Sequence, residues 1–564
     1  MNRKVILLLL TISLGCLGII LMLNTFYSIT RAQVTNEPSV SITADVTSGT
    51  PPLAVSFTST INDPFAGKYP ITYEWHFDDE AASTKQNPQH TFTEPGEYYV
   101  MCRVTFWKSP KLTVEAAVNI KVEKKVEPIL VCTASGVQSG PKIIADGSGG
   151  VIITWEDSRN GPNDIYAQRI DSTGKIPWTE NGVVICTAIY NQYSPEITTD
   201  GSGGAIITWM DGRSGGGVNI YSQRIDSTGK SLWIENGLAL CTAVYNQSSP
   251  QITFDGSSGA IISWYDFRSG DTRGIYVQRL DSVGKTLWNT NGVTICKTIY
   301  HQQYFEIPKI PDGSGGAIIS WPYDQSGKSQ GIYAQRIDST GKELWAAGGV
   351  AVCTTVKGQG DTHIVIDGSG GAIITWSDDR SGDNENIYAQ RIDSTGKLLW
   401  TASGVSICSA INNQFYPQIT SDGSSGAVIT WNDNRSGYLD IYAQRIDSTG
   451  KSLWTADGLV ICTYHINKYN PRITSDGSGG AIITWQDPRE GTPNWALYAQ
   501  RVDSTGKLLW STDGIPVRKG PNQHKEPQMI SDGSGGVIVV WQEYINSTSS
   551  DIYAQRITKD GEVK

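Results

Sequence analysis

A chain of 564 residues is about four times a common domain size of ~100–150 residues, which excludes one undivided core and leaves several domains or a repeat array. Charged residues are 18% and glycines number 60, a balance that favours tight turns between short strands and excludes long solvated helices and coiled coils. The net charge of −10 has the wrong sign for a surface that tracks phosphates, so nucleic acid is excluded as a partner.

At the N-terminus Arg3 and Lys4 precede an uncharged run from Val5 to Leu23, long enough to reach about 28 Å as a helix. Thr30-Arg31-Ala32 offers a small-residue cleavage site before Gln33. Residues 1–33 are therefore expected to form one hydrophobic helix, either a cleaved signal peptide or a membrane anchor. In both cases the positive flank stays inside and the remainder is exported to the cell surface or beyond.

Residues 37–124 carry short β-rich runs, Val40-Ser41-Ile42, Ala54-Val55-Ser56-Phe57, Thr72-Tyr73-Glu74-Trp75 and Tyr99 to Val104, separated by Gly, Pro and Asp turns. This pattern predicts an immunoglobulin-like β-sandwich. The segment resembles the PKD domain family through Pro52-Leu53-x-Val55-x-Phe57, Trp75-His76-Phe77-Asp78-Asp79-Glu80, Asn87-Pro88-x-His90-x-Phe92 and Pro95-Gly96-x-Tyr98-x-Val100. It departs where Asp78 and Glu80 replace the family's usual glycines, so a different turn is expected there. The resemblance implies an exported spacer or adhesive module without catalysis. A charged linker, Val122 to Pro128, follows.

The rest is a repeat. Asp-Gly-Ser-(Gly/Ser)-Gly begins at Asp146, Asp200, Asp255, Asp312, Asp367, Asp422, Asp476 and Asp532, which makes eight copies of about 55 residues. The consensus copy has a Pro-x-Ile segment before the Asp-Gly turn, an apolar run ending in Trp, a polar loop, Ile-Tyr-Ala-Gln-Arg-Ile, an Asp-Ser-Thr-Gly turn, and a last segment ending in Gly-Val-x-Ile-Cys. Four strands at that period predict the blade of a β-propeller. The array opens with an orphan outer strand, Ile129–Cys132, and stops one strand short after Ile552–Ile557, complementary halves that a ring can pair. The fold class expected is all-β: the β-sandwich, then an eight-bladed β-propeller over residues 129–564. The repeats resemble exported Trp-x-Asp-x-Arg/Ile-Tyr-Ala-Gln-Arg repeat proteins and, more weakly, quinoprotein-like eight-bladed propellers. That second resemblance would imply an adjacent Cys-Cys pair in the site, which this chain lacks.

Among chemistry-bearing residues, the Asp and Arg of Trp-x-Asp-x-Arg (Asp157/Arg159, Asp211/Arg213, Asp266/Arg268, Asp378/Arg380, Asp433/Arg435, Asp487/Arg489) are expected to form salt bridges within blades. The arginine shared by all eight copies, from Arg169 to Arg556, sits mid-strand and requires a carboxylate or carbonyl partner. Seven cysteines share one slot, with Val517 in the remaining copy, too far apart to bridge and expected to be buried and reduced. The turn carboxylates offer oxygen ligands, so calcium is the one cofactor to consider, and no other is implied. Gly-Lys-Ser/Thr at 229, 284 and 450 lacks the first glycine and the helix of a phosphate loop.

Residues common to every blade serve the fold, so a ligand is expected to be read by the departures: His301, Pro322, Tyr323, Asp324, His363, Trp495, Glu543 and Tyr544. The function expected is non-enzymatic binding or adhesion at the cell surface, with an extracellular protein or glycan as partner. The alternative is an extracellular carbohydrate-active hydrolase or lyase with its site at the mouth of the propeller channel.

Overall fold

The computed structural model describes residues 37–49, 51–124, 126–270, 273–299, 307, 309–324, 330–356, 360–380, 382, 384–491 and 495–564. The chain divides into two compact units, one ending at Val126 and the other spanning Glu127–Lys564. The expected N-terminal helix lies outside the described residues. Among the described residues, no helix is long and apolar enough to cross a membrane.

The first unit is a sandwich of a three-stranded and a five-stranded sheet. Its core gathers Phe57, Trp75, Phe77, Phe92, Val100, Cys102 and Phe106 from inward-facing positions. The turn after Phe77 corrects one expectation. Asp78 and Glu80 take the glycines' places yet adopt the left-handed backbone themselves, at φ 65° and 69°. Side-chain bonds hold the turn there: Asp78 Oδ2 accepts from the Tyr99 amide at 3.0 Å and Asp79 Oδ1 from the Ala81 amide at 3.2 Å.

The second unit forms eight four-stranded antiparallel sheets among the described residues. Blade 1 consists of Gln138–Ala145, Val151–Asp157, Asp164–Ile170 and Val183–Cys186, and the next six blades repeat it. The innermost strand of each blade packs against those of its neighbours, and the first also packs against the last, so the blades close a ring around an axis. Blade 8 consists of Gln523–Ser531, Val537–Asn546 and Ser549–Ile557, and it takes Ile129–Cys132 as its outer strand, with Ile552 opposite Cys132 and Ala554 opposite Ile129. The orphan strand therefore closes the circle as its phase predicts, and the third strand of blade 8 is not left at the sheet edge.

Two repeated networks explain the repeated residues. In the first, the mid-strand arginine pairs with the Asp-Gly-Ser aspartate of its own blade and reaches the next: Arg169 donates to Asp146 Oδ2 at 2.7 Å and to the Ser227 carbonyl at 3.2 Å. The Trp178 indole donates to the same carbonyl at 3.1 Å. Gly229 of that turn has φ +85°, and a Cβ there would lie 2.9 Å from the Trp178 ring, so the indole packs where a side chain would stand. The arginine stitch continues to blade 8, where Arg556 reaches back to the Ser172 carbonyl of blade 1 at 3.2 Å.

The second network binds Trp-x-Asp-x-Arg. In blade 2 the buried Asp211 accepts from the Trp209 indole at 2.8 Å and from Arg213 Nη2 at 2.6 Å. Arg213 lies 4.0 Å from the Tyr221 ring centroid and donates to Cys186 Sγ of the preceding blade at 3.1 Å. The described cysteines are free and buried, and burial pushes the Cys132, Cys186, Cys241 and Cys408 thiols up to about 12. Their slot thus serves as a sulfur acceptor under a guanidinium as well as an apolar filler.

Deleting residues 129–132 is expected to lower the melting temperature and to promote association through the opened edge; an unchanged monomer contradicts ring closure. The repeat thiols are expected to react with a thiol reagent only on unfolding, so rapid labelling of the native chain, or blade-to-blade disulfides found by mass spectrometry, would refute the packing described.

Candidate functional site

The innermost strands carry a bulge that decides what faces the axis. In blade 1 the register shifts between Ser139 and Lys142, and in blade 2 between Tyr193 and Glu196. At the bulge Gly140, Ser194, Ser249, Tyr416, Asn470 and Glu526 all have positive φ, which turns the following polar residue inward. Five of these strands, with that of blade 5, line one axial cavity of about 280 Å3 with Lys142, Glu196, His363, Gln418, Arg472 and Gln528, over Ile143, Ile197, Ile473 and Met529. Lys142 pairs with Glu196 at 2.6 Å, and Gln418 Nε2 lies 2.9 Å from His363 Nε2.

At the junction of blades 8 and 1, two carboxylates meet at Gly140. Glu526 Oε2 accepts from the Gly140 amide at 3.0 Å, and Glu156 Oε1 lies 3.9 Å from where a Gly140 Cβ would stand. Glu156 also accepts from the Ser194 amide and from Asn163 Nδ2, both at 2.8 Å. Burial pushes its carboxyl above the usual carboxylate range against those two hydrogen bonds, and the charge of Glu526 adds to the rise. Glu526 is exposed. One protonation-prone and one exposed carboxyl therefore meet at Gly140, two residues along the innermost strand from Lys142 of the cavity wall.

The structure distributes the sequence-predicted residues unevenly. His363 is in the cavity wall. Trp495, Glu543 and Tyr544 gather at the junction of blades 7 and 8. Trp495 stacks on Tyr469 at 4.9 Å, its carbonyl lies 2.6 Å from His524 Nδ1, and the Lys525 ammonium sits 4.7 Å from the Tyr544 ring centroid. Glu543, expected to face a ligand, is 1% exposed and holds a bidentate pair with Arg518 at 3.1 Å, plus a bond from Asn522. Blade 8 has Ile545 in place of the loop arginine, and the register corrects the expected Val517: Arg518 itself holds the cysteine slot, opposite Leu497 as Cys462 is opposite Ile441, and supplies the missing guanidinium. Pro322 is buried in blade 4. Tyr323 and Asp324 end the strand Ala317–Asp324, their side chains outside the described residues, as is His301. Tyr323 stands where six blades have aspartate and blade 8 has Glu543, and the buried Trp321 indole N–H has no partner among the described residues.

Sequence reasoning missed Glu156, Glu526 and the cavity ring apart from His363. The signal was available four residues before each Asp-Gly turn, where Lys142, Glu196, Gln251, Pro308, His363, Gln418, Arg472 and Gln528 vary. The residue that follows is isoleucine in six of these eight copies, Lys309 in the fourth and Met529 in the eighth. The turn carboxylates considered for calcium are engaged by their own turns: Asp146 Oδ1 accepts from the Ser148 and Gly150 amides, and Asp171 Oδ1 from Thr173 and Lys175.

Residues 35–118 match the family model of the PKD domain. A comparison with curated protein sequences found no match. Among solved structures the chain is similar to the NanB sialidase from Streptococcus pneumoniae, at 10% identity over 94% of this chain and 94% of that one, with a TM-score of 0.33. It is also similar to an alpha-L-arabinanase from Penicillium chrysogenum, at 10% identity over 55% and 92%, TM-score 0.31. A third is a quinonprotein alcohol dehydrogenase-like protein from Bacteroides thetaiotaomicron, at 13% identity over 86% and 97%, TM-score 0.29. The expectation of a non-enzymatic protein is withdrawn, because a sialidase and an arabinanase stand among the structures this chain resembles.

Blade 8 supplies a pH test of the geometry. Asp551 lies directly across the strand pair from Glu543, and burial, then the Glu543 charge, pushes its carboxyl up to about 6. The folded value exceeds the unfolded value of ~3.9, so the stability this group contributes is present below pH ~4 and lost as pH rises through 6. Asp551→Asn is therefore expected to raise the melting temperature at pH 7.5, with the difference from wild type closing towards pH 4. A difference that stays constant or widens on acidification contradicts it.

Proposed function

We propose that the protein is an exported carbohydrate-active hydrolase acting at the mouth of the propeller channel. The observation that carries this reading is the meeting of Glu156 and Glu526 at Gly140, two residues before Lys142 in the wall of a polar axial cavity. Glycoside hydrolysis needs one carboxyl that keeps its proton to protonate the leaving oxygen, and a second that activates water or attacks the anomeric carbon. Glu156, raised by burial, suits the first role, and the exposed Glu526 the second. A sugar unit seated in the cavity places its outward linkage beside the pair. Export is supported by the PKD domain and by the apolar run after Arg3 and Lys4.

The test is reducing-sugar release from a panel of plant, algal and microbial polysaccharides by the wild type, Glu156→Gln and Glu526→Gln, with the melting temperature of each. Wild-type turnover of at least one glycan is expected, with kcat reduced by about 10²–10⁴-fold in each variant at unchanged stability. Activity is expected to fall as pH rises through the elevated Glu156 value. Turnover indifferent to both substitutions, or glycan binding without turnover, contradicts the proposal.

A further inference from the structure

Every mid-strand arginine of the eight blades has a carboxylate partner, and so has every arginine of the six Trp-x-Asp-x-Arg loops. Arg472 does not. It is partly buried in the cavity wall, and its Nε donates to the Pro527 carbonyl at 3.3 Å. Among the described residues no carboxylate lies within 4 Å of its guanidinium, since Glu196, the cavity's own carboxylate, is taken by Lys142 at 2.6 Å. A guanidinium partly withdrawn from water without a counter-charge is left under-compensated, and its planar fork matches a carboxylate.

We infer that the axial cavity takes the carboxylate of an acidic sugar, paired with Arg472. This names the substrate class of the site and rests on the carbohydrate reading above. The volume of about 280 Å3 lies just below the range of drug-sized ligand pockets (~300–1,000 Å3), the size of a single sugar unit. Gln418 and Gln528 offer uncharged donors and acceptors for its hydroxyls. Arg472 is held by the carbonyl of Pro527, the residue after Glu526, so an anchored carboxylate is tied by backbone to the carboxyl at the mouth.

Calorimetry on the full chain carrying Glu156→Gln, which separates binding from turnover, tests this. The probes are oligosaccharides of galacturonic, glucuronic, mannuronic and guluronic acid, the methyl ester of each, and sodium acetate. At least one acidic oligosaccharide is expected to bind ten-fold or more tightly than its ester. Arg472→Gln is expected to abolish that difference, and Arg472→Lys to restore part of it. Equal affinity for acid and ester, no binding across the panel, acetate binding as tightly as the sugar, or an unaffected Arg472→Gln variant would overturn it. Acid–ester discrimination lost in Arg472→Gln, with hydrolysis absent or indifferent to the mouth carboxylates, keeps this inference and removes the hydrolase. Turnover of neutral glycans that depends on Glu156 but not on Arg472 does the reverse.

Discussion

The ring depends on one backbone carbonyl per blade. In the Asp-Ser-Thr-Gly turn the serine carbonyl, as in Ser227, accepts from both the arginine and the tryptophan of the preceding blade. The arginine can reach it because an aspartate of its own blade, Asp146, neutralises and orients it, and Asp146 is in turn fixed by the amides of Ser148 and Gly150. Removing one member strips the compensation from a buried aspartate, a change that costs about 3–5 kcal/mol in comparable buried pairs. The motif therefore recurs because every junction of the ring needs it.

That demand explains which departures the structure compensates. Blade 8 loses the loop arginine and the cysteine partner of the same network together, and Arg518 from blade 7 restores the charge on Glu543. Burial alone would raise Glu543, but hydrogen bonds from His524, Arg518 and Asn522 hold it far below the usual carboxylate range. In blade 4 the Trp321 N–H has no partner among the described residues. The repeated polar residues are thus committed to the junctions, and the slots released from that duty lie along the axis, where Lys142, Glu196, His363 and Arg472 differ from blade to blade.

The architecture was legible in the sequence because the repeat period, the Asp-Gly and Asp-Ser-Thr-Gly turns and the complementary ends are local patterns with direct geometric meaning. The site was not. Glu156 sits at a position held by Met210 in blade 2 and Tyr265 in blade 3, and Glu526 at one held by Gly140 and Ser194. Each looks like ordinary drift until the bulge and ring closure bring blades 8 and 1 together across Gly140. Glu543 misled for the opposite reason: it departs from the repeat in order to preserve a buried network, and a departure in sequence carries no information about exposure.

The most direct measurement is a crystal structure of the Glu156→Gln chain grown with an acidic oligosaccharide. The account predicts one sugar unit inside the ring of Lys142, Glu196, His363, Gln418, Arg472 and Gln528, its carboxylate on Arg472 and its outward linkage beside Glu526. An oligosaccharide lying instead across the exposed Ile189–Tyr190 and Val244–Tyr245 segments, with no sugar in the axial cavity, would contradict it.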